Sequence, residues 1–350
     1  MRCSRVRYTR VRAAWLVLIS VALPSCDTAE RSPGTDEPAV VRVMILPHLT
    51  FAPLLIAQEE GFFAAEGLDV RFSRLGSGAS TVPLLLQGKL DVLPTPASPA
   101  LLNAIARGSP VRFVADKGHL PASRSCSHLG IVVRRELLKP LGSEETSSAG
   151  EWKTPSIRRL STTRDALLGF LVTKAFESRG LTLEDVETMQ IPAAAELAAL
   201  RNGAIDAAFI GEPWMSRLLE RGDGAVWIEL EDVMPGMQYS LIVYGRRLLE
   251  EDPELGRRFM VAYLRGVRQL NQGKTERNLE ILEAATGFDR EELRRLCWPS
   301  FRDDGWINAE SLIEFQHWAV DRGLIDAPVS KQQFWEPSFI EYANQALEDS

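Results

Sequence analysis

One pattern occurs twice in the chain and limits its architecture more than any other feature. Residues 84–92, LLLQGKLDV, and residues 198–207, AALRNGAIDA, share leucine, two residues, glycine, two residues, aspartate. The matching positions are Leu85, Gly88 and Asp91 in the first copy, and Leu200, Gly203 and Asp206 in the second. Each copy reads as a helix end, a glycine cap and the start of a strand. A second echo pairs LGIVVRRELL (129–138) with SLIVYGRRLL (240–249), both apolar strands running into arginine pairs. Two similar α/β lobes follow from these repeats. The echoing strands sit where the chain leaves the first lobe and returns to it. They read as crossover hinges, expected to bend near 129–135 and 240–245. A length of 350 residues suits two such units.

The elements between the echoes alternate in type. AVVRVMIL (39–46) is an apolar run of strand length, and FAPLLIAQEEGFFAAEG (51–67) is a helix interrupted and then ended by glycines, with its two phenylalanines read as core. LDVRFSRL, KLDVLP and VRFVAD (111–116) are further strands, separated by helices. SIRRLSTT (156–163), the helix DALLGFLVTKAFESRG with apolar positions at 167, 168, 171, 172 and 175, the helix AAELAALRNG and the strand AIDAAFI repeat the order. Alternation of this kind predicts parallel βαβ units. Residues 141–152 read as a solvated excursion in the second lobe, and the chain after 250 as mostly helical. The expected division is 39–133 with 238–350 for the first lobe and 134–237 for the second.

The first residues differ from the rest. MRCSRVRYTRVR carries five arginines and no acid, and the eleven residues AAWLVLISVAL follow. That run is too short to span a bilayer, which takes about 20 residues. A basic start, a short apolar stretch and small residues form an export signal. Leu23-Pro24-Ser25-Cys26 resembles a lipobox, so residues 1–26 are read as a lipoprotein signal with Cys26 lipidated, and 27–38 as a flexible tether. Removal of 1–26 leaves 35 basic and 47 acidic residues, a net charge of −12. Nucleic acid, whose binding rests on neutralised phosphates, is excluded as a partner. Cys126 and Cys297 either pair in an oxidising compartment or stay as buried thiols.

In an open α/β sheet, ligands bind outside the carboxyl ends of the strands. The loops there are 47–51, 77–80, 95–98, 161–164 and 211–214. They also open helices, whose unpaired N–H groups and dipole suit an anion. The candidate ligand contacts are therefore His48, Thr50, Phe51, Ser77, Gly78, Ala79, Thr95, Ala97, Ser98, Thr162, Thr163, Arg164, Glu212 and Trp214, with Tyr239 and Gln238 at the return crossover. The serines and threonines serve equally as helix caps; Trp214 either stacks on a bound ring or packs in the core. Arg164 faces an anionic solute, Asp165 or Glu212. His119 and His128 are read as surface residues and His317 as structural.

APLLIAQEEGFFAAEGLDVRF, GSGAS, LLLQGKLDVLPTPASPALLNAIARGSPVRFVA, ALRNGAIDAAFIGEPW and DPELGRRFMVAYLRGVRQLN together resemble solute-binding proteins of the alkanesulfonate, nitrate, taurine and thiamine-pyrimidine-precursor type. The resemblance covers about residues 45–345. It implies a type II periplasmic-binding fold of two α/β lobes, joined by two crossover strands with the ligand cleft between them. It also implies an exported, monomeric receptor that hands its solute to ABC permease and ATPase subunits and touches the membrane only through its lipid. The loop before the first helix of the second lobe is usually rich in glycine and serine in this family, whereas here it reads Ser161-Thr162-Thr163-Arg164-Asp165.

No catalytic or cofactor motif competes. Gly273-Lys274-Thr275 has Arg268 where a phosphate loop needs glycine, and HExxH, CxxC and GxSxG are absent. No cofactor or metal is expected, and the chain is read as a binding protein, not an enzyme. The rivals are a synthesis enzyme on the same fold, in the thiamine-pyrimidine-precursor pathway, and a sensor for a separate membrane partner. Helix N-termini and Arg164 favour a small organic anion, sulfonate-like or an aromatic carboxylate; His48, Phe51, Trp214 and Tyr239 favour a flat ring, and a thiamine-pyrimidine precursor comes second.

Overall fold

The computed structural model describes residues 37–75, 80–123, 126–138 and 156–349. The proposed signal, the Cys26 lipidation site, most of the tether and the 141–152 excursion lie outside these residues. Ten strands form two five-stranded sheets. The first contains β1 (Ala39–Ile45), β2 (Leu68–Arg74), β3 (Val92–Thr95) and β4 (Arg112–His119). The second contains β5 (Leu129–Arg134), β6 (Arg159–Ser161), β7 (Glu187–Met189), β8 (Ala207–Gly211) and β9 (Gly224–Glu229). β10 (Gln238–Tyr244) returns to the first sheet. The spatial orders are β2-β1-β3-β10-β4 and β7-β6-β8-β5-β9. In each sheet one inner strand runs against its neighbours: β10 is antiparallel to β3 and β4, and β5 to β8 and β9. The two sheets therefore share one topology, and β5 and β10 hold equivalent places.

That equivalence explains both echoes in chemical terms. Asp91 enters β3 with its side chain wholly buried. It accepts bonds from Arg42 Nε (3.0 Å), Arg42 Nη2 (2.7 Å) and the Arg42 backbone N–H (2.8 Å), and from Arg247 Nη1 (3.3 Å). Asp206 enters β8 and accepts from the backbone N–H groups of Arg158 and Arg159 (3.0 Å each) and from Arg134 Nη2 (2.9 Å). Each repeated aspartate ties a parallel strand, β1 or β6, to one arginine of the pair at or beyond the end of the antiparallel inner strand: Arg247 after β10 and Arg134 at the end of β5.

The structure moves the expected lobe boundary. β5 was placed with the first lobe, but it is hydrogen-bonded on both edges within the second sheet. A strand held on both edges is a poor place to bend, and the same holds for β10. The connections between sheets are instead residues 120–128 and 230–237. They bond to each other, Leu120 N–H to Met237 C=O at 2.9 Å and Gly236 N–H to Leu120 C=O at 2.7 Å.

In the first lobe, the helix Ala52–Glu59 packs on the long helix Pro253–Leu270. The approach is so close that a Cβ on Gly266 would lie 2.2 Å from the Pro53 carbonyl oxygen. Gly61 and Gly67 take left-handed conformations (φ 70° and 68°) that end successive helical turns and turn the chain into β2. Phe63 stacks on Phe259 with centroids 5.1 Å apart, while Phe62 is only half-buried. The helix Ala309–Asp321, expected in the first lobe, packs on both: Ser311 Oγ accepts from Gln238 N–H of β10, and Phe315 and Trp318 surround Phe170 of the second-lobe helix Leu167–Glu177 at 5.9 and 5.7 Å. Cys126 of the first connection is disulfide-bonded to Cys297, just beyond the helix Arg290–Arg295.

Burial opposes ionisation of Asp206, but the two backbone N–H bonds and the Arg134 guanidinium outweigh it and hold its pKa below the ordinary 3.8. Its stabilising contribution is thus complete above that pH and lost as pH falls through the lowered value. Asp206→Ala strands three donors and is expected to cost about 3 kcal/mol, measured by urea unfolding at pH 7, with the difference shrinking toward pH 3.

Candidate functional site

Because β1, β3 and β4 are parallel, their carboxyl ends share an edge with the start of β10. In the second lobe, the ends of β6 and β8 and the start of β5 make the matching edge. A cleft of about 900 Å³ lies between these edges. His48, Thr50, Phe51 and Thr95 line it from the first lobe, Thr162, Thr163, Glu212 and Trp214 from the second, and Tyr239 from the return crossover. The other predicted residues are placed elsewhere. Ser98 caps the helix Pro99–Ala106, accepting from Leu101 N–H at 3.3 Å. Ala97 is buried in the first-lobe core. Arg164 is ion-paired with Glu184, which also takes Arg322, and does not line the cleft. Gln238 is buried in a bonding node behind the cleft. Ser77, Gly78 and Ala79 lie outside the described residues.

The strongest feature is a residue the sequence reading passed over. Lys117, the sixth residue of β4, is only 3% exposed and borders the cleft. Its Nζ lies 3.8 Å from the centroid of the Phe51 ring and 3.3 Å from Ser240 Oγ. Its neighbour Asp116 does not neutralise it directly. The Asp116 carboxylate accepts from Gly118 N–H (2.8 Å), Gln238 Nε2 (2.5 Å), Arg302 N–H (2.8 Å) and His119. Burial drives the Lys117 pKa down to about 7 against the opposing pull of Asp116. A cation in such a place lacks an anion.

His48 is at the cleft mouth. Solvent still reaches it, yet the surrounding protein and then the Lys117 charge lower its pKa. Across the cleft, Glu196 of the helix Ala193–Arg201 is buried and accepts from Ser161 Oγ at 2.5 Å. Burial raises its pKa to about 7, with the Ser161 bond pulling the other way. Thr162 Oγ1 is buried without a partner among the described residues. Glu212, half-buried, has its pKa raised by burial despite bonds from Ser216 and from the Cys297 backbone. Trp214 is covered on one face by the Arg217 guanidinium, 4.8 Å from its ring centroid.

His128 was read as a surface residue; it is 5% exposed and lines the cleft. Its Nδ1 is 3.1 Å from Glu231 Oε1, and its Nε2 is hydrogen-bonded to the Tyr239 hydroxyl at 3.1 Å. Glu231 also accepts from Ser127 Oγ at 2.6 Å. The two connections between lobes are thereby tied together beside the cleft. Gly118 (φ 145°) makes room for this arrangement, since a Cβ there would sit 2.5 Å from Tyr239 Oη.

Signals for Lys117 and Glu196 existed. Asp116-Lys117-Gly118 follows an apolar strand at the ligand edge, and Glu196 is the one acid in the helix AAAELAALR.

Two α/β lobes of matching topology, joined by paired connections around a polar-bottomed cleft, define a type II periplasmic-binding fold. The chain belongs to the NMT1-like family, whose profile matches residues 34–285. It is 29% identical over 200 residues to the bicarbonate-binding protein CmpA of Synechococcus elongatus, covering 52% of this chain and 43% of that protein. It thus spans less than half the length of that curated relative. Among solved structures, it superposes on the zinc-bound ligand-binding component of an ABC-type import system from Staphylococcus aureus with a TM-score of 0.69 and 17% identity, covering 87% of this chain and 99% of that one. The periplasmic nitrate-binding protein NrtA from Synechocystis gives a TM-score of 0.65 and 15% identity over 90% of each chain.

Lys117→Met removes a charge that burial disfavours. The cost of that charge is fully present below pH about 7 and fades as pH rises toward the unfolded value of 10.5. The variant without ligand is expected to gain on the order of a few kcal/mol at pH 6, seen as a melting point several degrees higher, with a smaller gain at pH 9.

Proposed function

We propose that this chain is the extracytoplasmic solute receptor of an ABC importer, closing its lobes on a small organic anion and presenting it to a membrane permease. The observation that carries this reading is Lys117: a buried ammonium with no directly bonded carboxylate, at the edge of an open cleft between two lobes. An anionic solute entering the cleft would supply the counter-ion that this group lacks. The relatives point the same way, being named as bicarbonate- and nitrate-binding proteins and as part of an ABC import system. The fold alone hosts several functions, so the argument rests on the site.

The cleft argues for an organic solute rather than a bare inorganic ion. Its volume suits a small organic molecule. Phe51, Leu168, Ile191, Phe209 and Trp214 give it apolar walls that an ion of nitrate size would leave uncovered. A sulfonate or carboxylate on an aliphatic or aromatic body satisfies both Lys117 and these walls. Closure brings the second-lobe wall to a solute held on the first lobe, through rotation at residues 120–128 and 230–237. The disulfide between Cys126 and Cys297 fits an oxidising compartment, in keeping with an exported chain anchored through Cys26. No helix among the described residues is long and apolar enough to cross a membrane.

The test is calorimetric titration with alkanesulfonates, aromatic carboxylates, nitrate and bicarbonate. A sulfonate keeps its charge across the working range, so its affinity reports the lysine. Affinity should be level below pH 7 and fall up to about tenfold per pH unit above it, as Lys117 loses its proton. Lys117→Met should weaken binding by at least 100-fold. A flat profile to pH 9, or undiminished binding by the variant, would refute the assignment.

A further inference from the structure

The second-lobe wall of the cleft contains polar groups that an anion held by Lys117 does not satisfy. Thr162 Oγ1 is buried, faces the cleft and has no hydrogen-bond partner among the described residues. Its backbone N–H is already spent on the Met189 carbonyl (2.8 Å), so the hydroxyl is the free group. Beside it, Glu196 is 4% exposed and also lines the cleft. Ser161 Oγ occupies its Oε1 at 2.5 Å. No arginine or lysine is paired with Glu196 among the described residues. A buried hydroxyl left without a partner is costly, and a carboxyl beside it with no cation of its own adds an acceptor that a ligand's donor would meet.

From this juxtaposition, and resting on the reading of Lys117 as the anion anchor, we infer that Glu196, Ser161 and Thr162 form a second subsite that takes an N–H donor, an amine in the first instance, so that the solute is bipolar: an anionic group on the first lobe and an amino group on the second. The two subsites are on opposite walls, Lys117 on β4 and Glu196 on the helix after β7. A bipolar solute therefore bridges the lobes, and its amino end is engaged when the cleft closes. Burial holds the Glu196 carboxyl near neutrality, at about 7. A bound ammonium restores the ionised form that Ser161 already favours. A solute with the anion alone leaves the Thr162 hydroxyl unpartnered and the Glu196 carboxyl without a cation.

Matched probes separate this inference from the reading beneath it. The chain is titrated calorimetrically at pH 7.5 with ethanesulfonate and 2-aminoethanesulfonate, butane-1-sulfonate and 4-aminobutane-1-sulfonate, and benzoate and 4-aminobenzoate. The expected result is that, in at least one pair, the amino member binds tenfold or more tightly than its partner. Glu196→Gln and Thr162→Val, each checked for an unchanged far-ultraviolet spectrum and melting transition, should bring the pair to within threefold by weakening only the amino member. Lys117→Met should lose both members. Equal binding within every pair, or a preference that survives both second-lobe substitutions, overturns the second subsite while leaving the anion anchor standing. Failure of all six probes to bind the folded wild-type chain at millimolar concentration overturns both.

Discussion

A buried ammonium without a carboxylate to meet it is the constraint around which the cleft is organised. A lysine this deep tends to neutralise, and Lys117 is held just at the point where either form is accessible near neutral pH. The protein could have quenched it with the adjacent Asp116. It instead turns that carboxylate backward, into bonds from Gly118, Gln238 and Arg302. Gln238 in turn accepts from Arg302 and from the Asn308 backbone at 3.1 Å each. The negative charge beside Lys117 is thus spent on fastening β4, β10 and the C-terminal segment together. The positive charge is left facing the cleft, cushioned by Phe51 and Ser240.

The same economy shapes the connections between the lobes. His128 and Glu231 come from different crossovers and meet beside the ligand cavity, with Tyr239 completing the chain of bonds. Farther out, Arg217 of the second lobe grips Glu292 near the C-terminal side, with Nη2 to Oε2 at 2.8 Å, while Phe315 and Trp318 hold the second lobe from the other side. The lobes are therefore joined by more than two covalent strands. A disulfide-tethered crossover, an ion pair and an aromatic contact also hold them to one another.

Much of this was legible in the sequence, because it follows from local rules repeated twice. The helix–Gly–strand–Asp echo predicted two lobes, and the structure gives it a cause: Asp91 receives Arg247, just beyond β10, and Asp206 receives Arg134, the last residue of β5. The loops at the strand ends were also visible, and those of His48–Phe51, Thr95, Thr162–Thr163 and Glu212–Trp214 do converge on the cleft. What escaped the reading depends on contacts distant in sequence. A strand that looks like a hinge is an inner strand once its neighbours are known. His128 looks exposed until Glu231 and Tyr239, more than 100 residues away, surround it. Arg164 looks available for a ligand until Glu184 takes it. Lys117 and Glu196, inside a strand and a helix, escaped notice because nothing local reveals that neither bonds directly to an opposite charge.

The most direct measurement is the titration of Lys117 itself, followed by nuclear magnetic resonance of the chain labelled at lysine Cε and assigned with Lys117→Met. The Lys117 resonance is expected to titrate near pH 7 in the free protein, far below the ordinary lysine value of 10.5, and to move upward by more than one unit when an organic anion binds. A Lys117 resonance that titrates with the surface lysines, or that stays unmoved by every anion that binds, would contradict it.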